Sequence, residues 1–294
     1  MIKTGLSRLG IFFLFLLSLL PFWFLYLLAD LLFIIIYYII GYRRKIVEDN
    51  LRNSFPEKSL QELNSIERKY FKYLADLIVE IIKTISISAK DVEKRMRPTN
   101  PGLMEDYFTQ GKSIIAAAGH YCNWEMATLS FGLLTGKKRF IVYRAQSNVV
   151  FTDFFNRVRS RFGSTMISTR QALRKMIEFK NELTFSVLVA DQTPTKVEAR
   201  YFTTFLNQPT AIFLGLEKLT RVVDCVVIFF RIDRVKRGYY TYTFVPLIEN
   251  PHEAQLHEIT EAHVRYLENV IKQAPEYWIW SHRRWKFKPG EDKT

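Results

Sequence analysis

From residue 113 onward, short apolar runs alternate with amphipathic stretches, and this alternation predicts an α/β fold with a mixed, mostly parallel sheet flanked by helices. A second observation adds an N-terminal hydrophobic membrane anchor helix, because residues 9–42 are apolar except for Ser18, Pro21 and Asp30. A third sets the organisation. No repeat, Ser/Gly/Pro-rich linker or low-complexity tract interrupts the remainder, so the chain divides into an anchor (1–42) and one folded domain (43–294).

The anchor segment exceeds the about 20 residues needed to cross a bilayer and the apolar core of a signal peptide, and no small-residue cleavage site follows it. It is therefore read as retained. Pro21 and Asp30 break it, leaving one tilted, kinked span or two short helices dipping into one leaflet; the single span is preferred. Trp23, Tyr26, Tyr37 and Tyr38 suit a membrane interface. Lys3 and Arg8 precede the segment while Arg43, Arg44 and Lys45 follow it, which by the positive-inside rule places the main domain in the cytoplasm.

Helical spacing of Tyr70, Phe71, Leu74, Leu77, Ile78, Ile81, Ile82 and Ile85 predicts a long amphipathic helix over residues 60–89. Then "KSIIAAAGH" reads as a buried strand ending at Gly119, "NWEMATLSFGLL" as a helix and "KRFIVYRA" as a strand. "VFTDFFNRVRSRFG" follows as a helix closed by Gly163, then "STMIST" (strand), "RQALRKMIEFK" (helix) and "LTFSVLVADQ" (strand). A helix over 211–221 precedes two strands, "VVDCVVIFFRID" and "GYYTYTFVPLI", joined by the basic turn "RVKRG"; a helix over 252–273 and the tail "YWIWSHRRWKFK" finish the chain.

Lys plus Arg number 42 against 29 Asp plus Glu, a net charge of +13, so the expected partners are polyanions: nucleic acid, an anionic membrane surface or phosphorylated substrates. Two cysteines are too few for a disulfide framework and favour a reducing compartment. No glycine-and-aromatic RNA motif, helix-turn-helix signature or zinc spacing is present, which argues against nucleic acid as a partner. The absence of a G-x-S-x-G elbow argues against an esterase.

Ligands of open α/β sheets bind beyond the carboxyl ends of the strands, and His120 falls at that edge. Glu125 lies in the first turn of the next helix. Five residues apart on one helix the two would diverge by about 140°; with His120 in the preceding loop, Glu125 can fold back, accept a proton from one ring nitrogen and leave the other as a base. The same pair also fits a plain decorated helix start. Cys122 is badly placed to be a nucleophile activated by His120, and Asp191 with His120 and Glu125 lacks the second histidine a metal site would want.

The block "GHYCNWE" fits an H-x-x-x-x-[DE] motif, and with "YRAQSN", "RSRFG", "VADQTP" and "YWIWSHRRWKF" it follows the order and approximate spacing of the bacterial lipid A biosynthesis (late) acyltransferases, a branch of the lysophospholipid acyltransferase superfamily that the whole chain resembles. The resemblance implies transfer of a fatty acyl chain from an acyl carrier protein or coenzyme A thioester to a hydroxyl of a membrane-embedded phosphorylated glycolipid; no cofactor and no metal are expected. It implies His120 as general base and Glu125 as the residue orienting it. Arg144, at a strand end, suits a phosphate. Arg161 is preferred to Arg159 and Arg170 as the family's block arginine, and Asp191 and Gln192 are assigned to substrate positioning. The chain departs from the branch at "FLNQP", where Asn207 stands at a glycine position, and in lacking a glycine after Asp191–Gln192. An aminolipid acyltransferase is therefore the runner-up, and a non-catalytic polyanion-binding protein a further alternative. The tail, with Trp280, His282, Arg283, Arg284, Trp285 and Lys286, has a composition suited to an anionic membrane surface.

Overall fold

The computed structural model describes residues 2–290 except 135 and 146, with side chains from residue 5; the Lys3 side chain lies outside the described residues. Among these, seven strands form one sheet in the order β1 (Met96–Pro98), β9 (Tyr239–Ile248), β8 (Cys225–Lys236), β2 (Ser113–Ala118), β5 (Thr184–Val189), β3 (Lys138–Tyr143), β4 (Thr165–Ser168). Strands β8, β2, β5, β3 and β4 are mutually parallel, and β9 runs antiparallel to β8. The sheet is mixed and mostly parallel, with helices on its faces, as expected.

All six residues of β2 are buried, as are five of the six in β5, the pattern of strands covered on both faces. Full burial of Ile114 and Ile115 stabilises by about 1.5–3 kcal/mol each. Helix α7 (Trp124–Gly132) follows β2, α8 (Val149–Ser160) follows β3 and α9 (Thr169–Glu178) follows β4. Gly163 ends the α8 turn with φ 100°, where a side chain would be strained.

Several elements differ from expectation. The long helix α4 spans Leu60–Lys83, opened by a capping box between Ser59 and Glu62, and the chain then turns before α5 (Ala89–Arg95). Residues 201–210 carry no assignment from the sequence before the helix expected over 211–221; residues 201–212 form the hairpin β6 (Tyr201–Phe205) and β7 (Gln208–Ile212), and helix α10 is only Gly215–Thr220. The final helix α11 begins later, at Glu258, and runs to Gln273.

The apolar N-terminus is two helices, α1 (Ile2–Leu19) and α2 (Phe22–Ile34, continued by a π turn Ile35–Ile39), broken at Pro21. Asp30 does not break α2; the helix runs through it and its carboxylate is bound by Arg237 at 2.7 Å. By length and composition, Phe22–Ile39 is the one described helix able to cross a membrane. Trp23 and Tyr38 are exposed as interface residues would be, whereas Tyr26 and Tyr37 turn toward the domain. The C-terminal tail is the other correction. Trp278, Trp280 and Arg284 are buried, whereas Arg283, Lys286 and Lys288 stay exposed, so the tail's tryptophans belong largely to the core and only these basic residues remain at the surface.

Candidate active site

The parallel register between β2 and β5 pairs Ala118 with Val189. Two residues further along each strand lie His120 and Asp191, so the sheet itself delivers them opposite one another at its carboxyl edge. The Asp191 carboxylate takes three donors: the His120 backbone N–H at 2.8 Å and the Trp278 indole N–H at 2.8 Å on one oxygen, and His120 Nδ1 at 2.6 Å on the other. Gly119 permits this approach, because a Cβ there would stand 2.7 Å from Leu267 and 3.4 Å from the Asp191 carboxylate.

Burial alone would raise the Asp191 pKa, yet the attraction of the His120 ring and the hydrogen bonds from His120 and Trp278 outweigh it and bring the group down to about 2. Asp191 is therefore an anion that accepts at Nδ1–H, and the neutral imidazole so held carries its lone pair on Nε2, facing outward. The Gln192 side-chain nitrogen lies 3.1 Å from Nε2 and donates to it. Trp124 packs edge-on against the imidazole at 5.0 Å. The ring is thus fixed on three sides and open on the fourth, the arrangement of an oriented base.

Glu125 does not hold His120. Its carboxylate is taken by Arg159 of α8 in a two-pronged contact of 2.8 and 2.5 Å. The cause is positional: Asn123 caps α7 by accepting from the Met126 N–H at 2.9 Å, and the first turn then carries Glu125 toward α8. Asn123 is itself anchored, donating at 2.7 Å to Glu80, a fully buried carboxyl whose pKa is raised by burial.

The expected arginines divide. Arg144 sits on the same rim, donating to Glu198 at 2.7 Å and to the Thr193 carbonyl at 3.3 Å, and with Gln192, Pro194 and Phe213 it lines an open cleft of about 560 Å³ beside the base. Arg161 is elsewhere engaged, donating to the Ile85 and Ile87 carbonyls after α4. Arg170 is exposed. Arg159, two residues before Arg161, is the arginine of that block which reaches the motif.

Cys122 is buried in a left-handed conformation (φ 52°), and burial raises its thiol pKa well above the ordinary value, so it is no nucleophile. Trp278 and His282 were not singled out as site residues. His282 Nε2 accepts from the Thr193 N–H at 3.2 Å, and burial lowers its pKa to about 4, so the ring is neutral. The Trp-rich, basic composition of the tail was the one signal available, and its meaning depends on the fold.

At "FLNQP" the chain makes a two-residue hairpin loop with Leu206 and Asn207 both at positive φ, 50° and 61°. Asn tolerates that region, so Asn207 keeps the tight turn a glycine would make.

The family model for bacterial lipid A biosynthesis acyltransferase matches residues 1–287. A lipid A biosynthesis acyltransferase of Haemophilus influenzae is 25% identical over 277 residues, 92% of this chain and 85% of the relative. A lipid A biosynthesis lauroyltransferase of Escherichia coli K12 is 26% identical over 293 residues, 98% of this chain and 93% of the relative. A histidine held by a buried aspartate at the edge of the sheet sits in a chain whose family match runs along nearly the whole sequence, and that match shows that the chain is an acyltransferase and belongs to the bacterial lipid A biosynthesis acyltransferase family.

Proposed function

We propose that the protein transfers a fatty acyl chain from a thioester, carried by acyl carrier protein or coenzyme A, to a hydroxyl of a phosphorylated glycolipid of the lipid A type. The observation carrying this reading is the pair His120–Asp191 at the carboxyl edge of adjacent strands, in a chain matched by the family from residue 1 to 287. The acceptor hydroxyl takes the place of Gln192 at Nε2 and gives its proton to His120 as its oxygen attacks the thioester carbonyl. The tetrahedral oxyanion then collapses, the C–S bond breaks, and the thiolate leaves with the proton from His120. Asp191 stabilises the imidazolium in between and keeps its proton on Nδ1. Arg144, on the cleft rim, offers its guanidinium to a phosphate of donor or acceptor, exchanging Glu198 for it. The Glu125–Arg159 pair positions the start of α7.

Residues 1–42 hold the domain 43–294 at the bacterial inner membrane on its cytoplasmic side. The +13 charge and the exposed apolar faces of α1 and α2 support that location.

The test is direct. Purified protein is incubated with a lipid A precursor and either acyl carrier protein or coenzyme A thioesters, and the lipid mass is followed. The wild type adds one acyl chain, and His120→Ala adds none while keeping its fold. An acylated aminolipid with the glycolipid left unchanged would point to the other acceptor class, and near-normal turnover by His120→Ala would remove the base assignment.

A further inference from the structure

Helix α2 is bonded to the domain along its entire length. Helix α4 runs antiparallel beside it: Lys83 donates to the carbonyls of Ser18 and Leu20 at 2.8 and 2.9 Å, and the Tyr26 hydroxyl donates to Glu80 at 2.9 Å. Halfway along, Arg237 of the β8–β9 turn bridges Asp30 at 2.7 Å and Asp76 at 2.6 Å. At the far end Arg44 stacks 4.5 Å over Tyr37 and bonds Glu67 at 2.7 Å. A helix crossing a bilayer would pull these groups into the hydrocarbon, together with the exposed Arg68, Lys69 and Lys72 of α4. The centre of the only described segment long enough to span, Phe22–Ile39, is the very place where Asp30 meets Arg237.

The opposite face has the reverse character. Trp23, Leu27, Leu31, Ile34 and Tyr38, spaced four, four, three and four apart, form one exposed stripe, with Trp23 66% and Leu31 54% exposed. Phe12, Phe13 and Leu16 of α1 are likewise exposed. An apolar groove lined by Leu28, Leu31, Ile35, Ile78 and Ile82 continues the surface between α2 and α4. Exposed basic residues bracket it, Arg8 at one end and Arg43 and Lys45 at the other, matching anionic headgroups.

We propose that α1 and α2 lie in the plane of one leaflet, with this face in the acyl-chain layer of an anionic membrane, and that the described chain does not cross the bilayer. This deepens the membrane association proposed above and rests on it. It replaces the single span preferred from sequence. Both ends of the hydrophobic segment are then on the side of the active site, and α1, packed on α8, brings lipid close to the helix whose Arg159 holds Glu125.

Four variants, Trp23→Cys, Leu27→Cys, Leu31→Cys and Ile34→Cys, each labelled with a bimane fluorophore, test the geometry in full-length protein bound to phosphatidylethanolamine/phosphatidylglycerol vesicles. Cys122 and Cys225 are buried and stay unlabelled in the folded protein. Depth is read from quenching by lipids carrying a nitroxide at the headgroup or along the chain. In-plane helices put all four labels at one shallow depth, about 5–10 Å below the headgroups. A crossing helix spreads them over about 16 Å along the normal, 11 residues at 1.5 Å each, and that spread would overturn the proposal. Absence of quenching at all four positions would also overturn it, in favour of a second protein copy covering the face. A membrane-impermeant maleimide gives an independent readout in sealed membrane vesicles: Gly5→Cys and Val197→Cys, both at open positions, label from the same side if α2 lies flat and from opposite sides if it crosses. Neither readout involves acyl transfer, so loss of the activity reading and loss of this one are separately visible.

Discussion

At the scale of single residues, the imidazole of His120 is defined by what its neighbours cannot do elsewhere. Asp191 is sealed beneath the ring with three donors, so it stays charged and always accepts. Trp278→Phe keeps the ring packing and removes one donor; the expected result is a fall in kcat of about tenfold with KM little changed, measured by steady-state acyl transfer. The Glu125–Arg159 pair is largely buried, and Glu125→Gln leaves the guanidinium without its anion. This variant loses about 3 kcal/mol of stability in denaturant unfolding, and Glu125→Gln/Arg159→Met recovers most of it. His120 was legible in the sequence because it follows an apolar run at a strand edge. Its partner was not, because Glu125 is near in sequence whereas Asp191 is 71 residues away and becomes adjacent only once β5 is known to pair with β2.

At the scale of elements, periodicity carried most of the reading. Strands β2 to β5 and helices α7 to α9 are the segments with clean alternation between buried runs and amphipathic stretches. Strand order left no trace in any one segment, since β5 enters between β2 and β3. The hairpin β6–β7 was missed because Pro209 inside a strand and a Leu206–Asn207 turn do not resemble the usual Asn–Gly signal. Strands β2 and β5 deliver the pair, and α7 backs it with Trp124 against the imidazole; its cap, Asn123, also donates to buried Glu80. Asn123→Ala loses both, and the expected cost is about 2 kcal/mol, read from thermal unfolding of the detergent-solubilised protein; a cost below about 0.5 kcal/mol would mean the cap is immaterial.

At the scale of the whole molecule, the buried polar groups set a pH range. Burial lowers His263 and His282 to about 4, below the ordinary histidine value of 6.5, so the unfolded chain binds protons that the folded one refuses between those two pH values. The histidine contribution is therefore full above pH 6.5 and is lost progressively as the pH falls toward 4, while Glu80, raised by burial, works in the opposite sense; Asp191, lowered to about 2, adds a loss only below 3.8. The histidine contribution is isolated by comparison: the change in melting temperature from pH 7.5 to 4.5 should be less unfavourable in His263→Leu than in the wild type. The anchor, too, belongs to this scale: hydropathy announced it at once, but Asp30 looked like a defect until Arg237, more than 200 residues on, proved to be its partner.

The central claim is that Asp191, rather than Glu125, holds the imidazole of His120 as a base. The most direct measurement compares kcat for acyl transfer in folded Asp191→Asn and folded Glu125→Gln under saturating donor and acceptor. The account predicts a loss of about 10²–10⁴-fold for Asp191→Asn, since the amide no longer holds the proton on Nδ1, and a loss of less than about tenfold for Glu125→Gln. Near-normal turnover in Asp191→Asn alongside collapse in Glu125→Gln would contradict it.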